Sequence, residues 1–473
     1  MKSSVTMMTQ TTAALAMMAA LAACSADEGD AADAEGAEEA EGHGAEATAG
    51  EVTGETSEPS DRETSEAGGP TPRLALTYDG GVQVLEGATL DTLSDHSVEG
   101  FLRLNPAGDG RHLFLTAGES FRLLDAGTWG EPHGDHHHYY TTEPVLTDIT
   151  VDGDTPGHVV AHDGVGTLFF DGSGAIHTFD LEDLDAEAEL ETAEAAVDDA
   201  HHGVAVTLGD GSRLETIGEG EERSGARVLD PSGEEIAASE DCPGVHGEAA
   251  LSNGTLALGC EDGALLYADG EFTTVKAEGS LETADGYART GNLFPAEDST
   301  VLLGDRNLDP EGEEPMTEIA LLDADSGEMT AVDVGAAYNF RSLARGPEGE
   351  ALVLAEDGLL HAYDESGEQL WELELLDPWE EPEEWQEPRP AITVDGDLAW
   401  ITDPDQQQIH LVDLAEEEII NSAELDVVPN EIALADGRAP EGAESTEGAD
   451  DADDSGGHEN HDHEDHDHEE HDH

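Results

Sequence analysis

Over residues 73–435 apolar positions come in short runs, often alternating with polar ones, and the runs are separated by Asp-Gly and Asn-Gly dipeptides such as Asp79-Gly80, Asp109-Gly110, Asp163-Gly164, Asp171-Gly172, Asn253-Gly254 and Asp357-Gly358. Period-two alternation bounded by such dipeptides predicts strands joined by tight hairpins, because Asn-Gly and Asp-Gly tolerate the positive φ those turns demand. A longer period lies above the hairpins. A polar or small residue, an apolar strand, a turn and a second apolar strand begin near Gly100, Pro144, Glu194, His246, Asn292, Phe340, Pro390 and Pro429. Starts 39 to 52 positions apart fall in the range of four-stranded propeller blades. The expected fold is therefore all-β, an eight-bladed β-propeller with seven blades as the alternative. A two-sheet sandwich has no need of this regular spacing. The body opens with strands at 74–76 and 82–85 that lack a repeat start and closes with a start at Pro429 that lacks its later strands. That pattern predicts ring closure, with the last strand completing the first blade.

The flanks have a different composition. Residues 25–72 and 436–473 consist largely of Ala, Glu, Asp, Gly, Ser, Thr and, in the second segment, His. Such segments bury too little apolar surface to offset chain entropy, so a disordered linker and a disordered tail are expected on either side of the body. The chain carries 113 Asp+Glu against 16 Lys+Arg, a net charge of -97, and its only lysines are Lys2 and Lys276. This excludes a protein that tracks nucleic-acid phosphates and argues against adsorption to anionic lipid headgroups. The first 24 residues carry Lys2, an apolar stretch over 13–20 and then Leu21-Ala22-Ala23-Cys24. The stretch is too short to span a bilayer, and small residues before a cysteine resemble the lipobox of bacterial lipoprotein precursors. The expectation is a signal peptide over 1–24, lipidation at Cys24, and an extracytoplasmic chain anchored to the outer face of the bacterial cell membrane.

Histidine carries the candidate chemistry. In a propeller the loop leading into each repeat and the loop between its second and third strands share one face. Placed on the repeat above, His96, the cluster His133, Asp135, His136, His137 and His138, and His246 fall in leading loops, and His162-Asp163 falls in a second-to-third strand loop. Imidazole and carboxylate converging on one channel mouth predict a first-row metal site, with zinc the leading choice for N and O donors. On the same register His201-His202 lies in a first-to-second strand turn on the opposite face and reads as structural. The C-terminal tract from His458 interleaves His461, His463, His466, His468, His471 and His473 with Asp and Glu. Residues two apart on an extended chain point the same way, so these pairs predict metal chelation by the tail.

Cys242 and Cys260 remain as an even pair in an oxidising exterior. One precedes the repeat start at His246 and the other ends the second strand of that repeat, which makes a disulfide natural. Two thiolate zinc ligands are the alternative. The sequence has no Gly-x-Ser-x-Gly elbow, Walker loop, Gly-x-Gly-x-x-Gly or His-Glu-x-x-His. Asp323-Ala324-Asp325-Ser326-Gly327 starts like a calcium loop but has Val334 where the bidentate Glu is required, and reads as a hairpin turn.

CPGVHGEA at 242–249, the second cysteine at 260, HGDHHHYY at 133–140 and the terminal His/Asp/Glu tract together resemble the AztD-type zinc metallochaperones. The resemblance covers the propeller body. It implies an extracytoplasmic, non-enzymatic protein that binds zinc and delivers it to the solute-binding protein of a zinc ABC importer, here as a monomer. The chain departs from the family in carrying its His-rich tract at the C-terminus and a lipidation signal at the N-terminus. A metal-dependent propeller hydrolase or lactonase and a passive interaction scaffold are the competing expectations.

Overall fold

The computed structural model describes residues 62–440, apart from 221, 278–285 and 313. The expected lipidation site Cys24 and the tail histidines His461, His463, His466, His468, His471 and His473 lie outside the described residues.

The apolar runs form antiparallel sheets, most of them built from consecutive strands. Leu102–Pro106, His112–Ala117, Ser120–Asp125 and Val145–Asp152 make one, and Pro156–His162, Val165–Phe170, Ala175–Asp180 and Ala193–Ala196 the next. Ala205–Thr207 opens a third four-stranded sheet, His246–Ala250 a fourth and Ile392–Asp395 another near the end of the chain. Between the last two lies a seven-stranded sheet running from Leu293–Phe294 to Gln369–Glu374, in which the 18-residue strand Glu328–Arg345 takes part in both halves. Arg73–Tyr78, Gly81–Glu86 and Thr92–Ser97 are completed by Ile432–Ala435, which pairs antiparallel with Arg73–Tyr78 in register Leu74 to Leu434. Closure by the last strand is as expected.

The first strands of successive sheets touch one another: Ile432–Ala435 meets Leu102–Pro106, which meets Pro156–His162, which meets Ala205–Thr207, and Ile392–Asp395 returns to Ile432–Ala435. They line the centre. Middle strands such as Leu256–Cys260 and Ala351–Ala355 are buried along their whole length because neighbouring sheets cover both faces. Outer strands such as Thr92–Ser97 and Gln369–Glu374 meet a neighbour on one side only and alternate with solvent. This division of burial explains why the middle strands read as continuous apolar runs and the outer ones as polar.

Two boundaries and two repeat starts differ from expectation. Ser65–Ala67 is not linker but a strand paired with His136–Thr141, and Arg62 donates to the buried carboxylate of Asp125 at 2.7 Å. At the other end residues 436–440 still belong to the body, with Gly437 N–H donating to the Gly110 carbonyl. The segments at Pro144 and Glu194 are the outer strands of their sheets, and the inner strands that follow begin at Pro156 and Ala205. The cause is an inserted hairpin, Thr128–His133 with His136–Thr141, together with inner strands that begin in polar, glycine-bearing sequence. A slip of one strand reverses which end of the sheet a loop occupies, with direct consequences for the histidines.

Candidate metal centre

Three histidines stand where successive inner strands begin. His158 is the third residue of Pro156–His162, His202 lies just before Ala205–Thr207, and His246 opens His246–Ala250. Their ring centroids are 5.2 Å (His158–His202), 5.8 Å (His158–His246) and 5.1 Å (His202–His246) apart. One nitrogen from each lies within 4.8 Å of the others, and no further His, Cys, Asp or Glu joins them among the described residues.

Local sequence dictates this convergence. The pairing register shifts between Pro156 and His158 and again between His246 and Glu248, and such bulges re-aim side chains. At the second bulge Gly247 has φ +57°, and a Cβ there would meet the Gly291 carbonyl oxygen at 2.2 Å. Only glycine fits. At the first, Gly157 leaves room for the Asp171 carboxylate, which a Cβ would meet at 2.3 Å.

The Asp171 carboxylate and the Gly291 carbonyl orient the rings. His202 Nδ1 lies 2.5 Å from Asp171 Oδ2, and His246 Nδ1 lies 2.7 Å from the Gly291 carbonyl oxygen. Each acceptor fixes the proton on Nδ1 and leaves the Nε2 lone pair free for a metal, the arrangement typical of metal-bound histidine. The Gly291 carbonyl is itself held: Asp305 accepts from Gly291 N–H at 2.5 Å, Asn292 N–H at 3.0 Å and Asn292 Nδ2 at 2.7 Å. His202 Nε2 and His246 Nε2 face each other at 3.1 Å. Tetrahedral zinc with Zn–N of about 2.1 Å would set its ligand nitrogens about 3.4 Å apart, so the spacing suits such an ion. His158 Nδ1 is buried without a hydrogen-bond partner.

Burial and the nearby Arg289 guanidinium hold the His246 imidazole down at about 3, and burial together with the His246 and His202 rings does the same for His158. Both are neutral, the ligand form, across the physiological range. Lowered values mean that unfolding takes up protons below the ordinary histidine value. Stability of the metal-free chain is therefore expected to be full above about pH 6.5 and to fall as pH drops toward 3. An exposed histidine loses about an order of magnitude in its neutral fraction between pH 7 and 5.5. Zinc binding at the triad is expected to fall less than about tenfold over that interval, where three ordinary histidines would lose about a thousandfold. Competition titrations at the two pH values check this.

The other expected ligands do not join this group. His96 lies on the outer strand Thr92–Ser97, three strands from the centre and so about 14 Å out, and its Nε2 lies 3.1 Å from Ser94 Oγ. His162-Asp163 forms the turn after an inner strand, at the opposite end from the triad, with His162 Nε2 3.3 Å from Asp163 Oδ2. Asp163 also accepts from Gly209 N–H. His201 is structural, buried with Nδ1 against the Asp199 carbonyl and Nε2 against Thr216 Oγ1. Its neighbour His202 is not. His158 and His202 were missed, although each has a glycine beside it at the start of an inner strand, as His246 has.

The His-rich loop is the tip of the inserted hairpin. That hairpin joins the third and fourth strands of its sheet, so it too stands at the end opposite the triad. His133, His136 and His138 cluster there with centroids 4.9 to 5.2 Å apart, and His136 Nε2 lies 3.2 Å from His138 Nε2. Glu66, from the N-terminal strand, approaches His138 Nδ1 at 3.2 Å, and Asp135 approaches His136 Nδ1 at 3.3 Å. His137 alternates to the other face, toward Tyr139. The expected single site is thus two separate histidine groups. Cys242 and Cys260 are joined in a disulfide with Cα atoms 5.0 Å apart, not held as thiolate ligands. The bond lies beside the triad, since Gly259 is the register partner of His246.

No family model matches the chain. The zinc chaperone AztD of Citrobacter koseri is 27% identical over 343 residues, which cover 70% of this chain and 78% of that protein. Two solved structures of Citrobacter koseri AztD, one of them apo, align with TM-scores of 0.68 and 0.66 at 23% identity, over 77% of this chain and 98% of theirs. In sequence and in fold, the chain is similar to the AztD zinc chaperones.

Proposed function

We propose that the chain is an extracytoplasmic zinc chaperone, not an enzyme, that holds zinc on His158, His202 and His246 and passes it to the solute-binding protein of a zinc ABC importer. The observation that carries this is the facing pair of Nε2 atoms on His202 and His246. With both Nδ1 protons committed to Asp171 and Gly291, two lone pairs point at each other, and a cation between the rings relieves that repulsion. Three histidine ligands leave a fourth position open on zinc, whereas sites that hold zinc for structure alone close all four. An open position is what transfer to another protein needs.

In the same proposal the seven-stranded sheet counts as two blades, giving eight. His133, His136 and His138 with Glu66 form a second, more exposed zinc site on the hairpin. The tail histidines from His461 to His473, interleaved with Asp and Glu, act as a low-affinity collector. Lipidation at Cys24 keeps the chain at the outer face of the membrane.

Zinc-loaded chain mixed with the metal-free solute-binding protein of a zinc importer tests the reading. The expected result is net transfer of one zinc per chain, and less than one from a His202→Ala variant, which loads less zinc under the same conditions. Three histidines and an open position are also the ligand set of some hydrolytic zinc sites, so turnover on an ester and lactone panel without transfer would favour the hydrolase instead.

A further inference from the structure

Phe101, Trp385 and Val428 stand on the segments that lead into three neighbouring inner strands, Leu102–Pro106, Ile392–Asp395 and Ile432–Ala435. Inner strands begin at the triad's end of the ring, so these residues share that end with His158, His202 and His246. Phe101 is 36% and Val428 41% exposed, and Phe101 is the one aromatic residue among the exposed large apolar side chains described. It meets Trp385 edge to face at 5.0 Å. The strand it precedes touches Pro156–His162, which carries His158. Trp385 is held in place by its own segment, residues 375–391. Trp379 Nε1 donates to the Ala355 carbonyl at 3.0 Å, the buried Arg389 donates to the Glu384 carbonyl at 2.8 Å, and the Gln386 carbonyl accepts from Asn430 Nδ2 at 2.9 Å. The arginines beneath are paired, Arg103 and Arg341 with Glu431 and Arg389 with Glu381. Glu380, Glu383 and Glu384, close to Trp385 in the chain, are exposed, and their carboxylates form no ion pair among the described residues.

A fixed, part-exposed aromatic pair beside unpaired carboxylates is the anchor and polar rim of a protein interface. We infer that this face docks the protein that takes the zinc, and that the acceptor meets it with an apolar recess rimmed by Lys and Arg. The inference rests on the chaperone function proposed above. Charge selects this occupant. In a chain of net charge -97, a second copy, the chain's own acidic flanks and an anionic lipid surface would each bring like charge against Glu380, Glu383 and Glu384. Place selects it too, since a partner that withdraws the ion must cover the end of the ring where His202 is exposed.

Transfer kinetics test this. The full-length, zinc-loaded chain is mixed with increasing amounts of the metal-free zinc-importer solute-binding protein of the same organism, and initial transfer rates are measured over a range of salt. Trp385→Ala and the charge reversal Glu383→Lys/Glu384→Lys are compared with the unchanged chain, each first checked by chelator competition for an unaltered zinc affinity. The expected result for Trp385→Ala is an acceptor concentration at half-maximal rate raised at least tenfold, as loss of a buried aromatic anchor brings. The charge reversal should slow transfer at subsaturating acceptor at least fivefold and flatten its dependence on salt. Transfer at the unchanged rate in both variants, or faster transfer after charge reversal, would overturn the inference. An unchanged chain that passes no zinc to the acceptor would instead refute the chaperone function, and the docking face with it.

Discussion

Replacing His202 with Ala is expected to weaken the tightest zinc site of the full-length chain by about 100-fold or more, on the order of 2.7 kcal/mol. The ring supplies one of three nitrogens, and its Nε2 faces that of His246 at 3.1 Å. His158→Ala and His246→Ala should match it. Asp171→Asn keeps the ligand but disturbs its orientation, and should cost about 10- to 100-fold, as loss of an orienting partner usually does. His96→Ala and His162→Ala should change the site less than about twofold, since neither ring joins the triad and a surface substitution away from a site is usually close to neutral. Chelator competition with one equivalent of zinc measures all six. A tight site that persists in the His202 and His246 variants and disappears in His162→Ala would show that the channel-mouth site lies at the other end of the sheets.

Breaking the Cys242–Cys260 bond should lower stability by about 3 kcal/mol, the chain-entropy value for a loop of this length. Both cysteines are fully buried, their sequence separation is 18, and the closed loop contains His246. Around it the connections are dense: Glu261 N–H donates to the Pro243 carbonyl and Thr290 N–H to that of Cys260. The effect should therefore extend to zinc. A Cys242→Ala/Cys260→Ala variant is expected to unfold at lower denaturant and, while still folded, to bind zinc more weakly, because the loop that carries His246 has gained freedom. Denaturant unfolding and a zinc titration on the same preparation measure both. Unchanged unfolding would mean that the surrounding sheet alone fixes the loop.

What the sequence made legible was whatever depended on local pattern. Strand alternation, Asp-Gly turns and the orphan strands at 74–76 and 429–433 led to a closed ring, and the spacing of Cys242 and Cys260 led to their bond. The triad was legible only at His246, because its repeat start coincides with a true inner strand. His158 and His202 depended on knowing which strand is innermost, and the extra hairpin at 128–141 moved that assignment by one. Ala205–Thr207 is only three residues long, too short for alternation to reveal, so His202 passed for a turn residue on the wrong face. The hairpin loop drew attention through its run of histidines, yet its place between the third and fourth strands of a sheet could not be read from composition. The partnership of Glu66 with His138 joins positions 72 residues apart and left no local signal.

The position of the first zinc ion to bind is decisive. Anomalous diffraction at the zinc edge, from crystals of the full-length chain loaded with one equivalent of metal, locates it directly. The predicted result is a peak within bonding distance of nitrogens from His158, His202 and His246. A peak only at His133, His136 and His138, or none within the folded body, would contradict it.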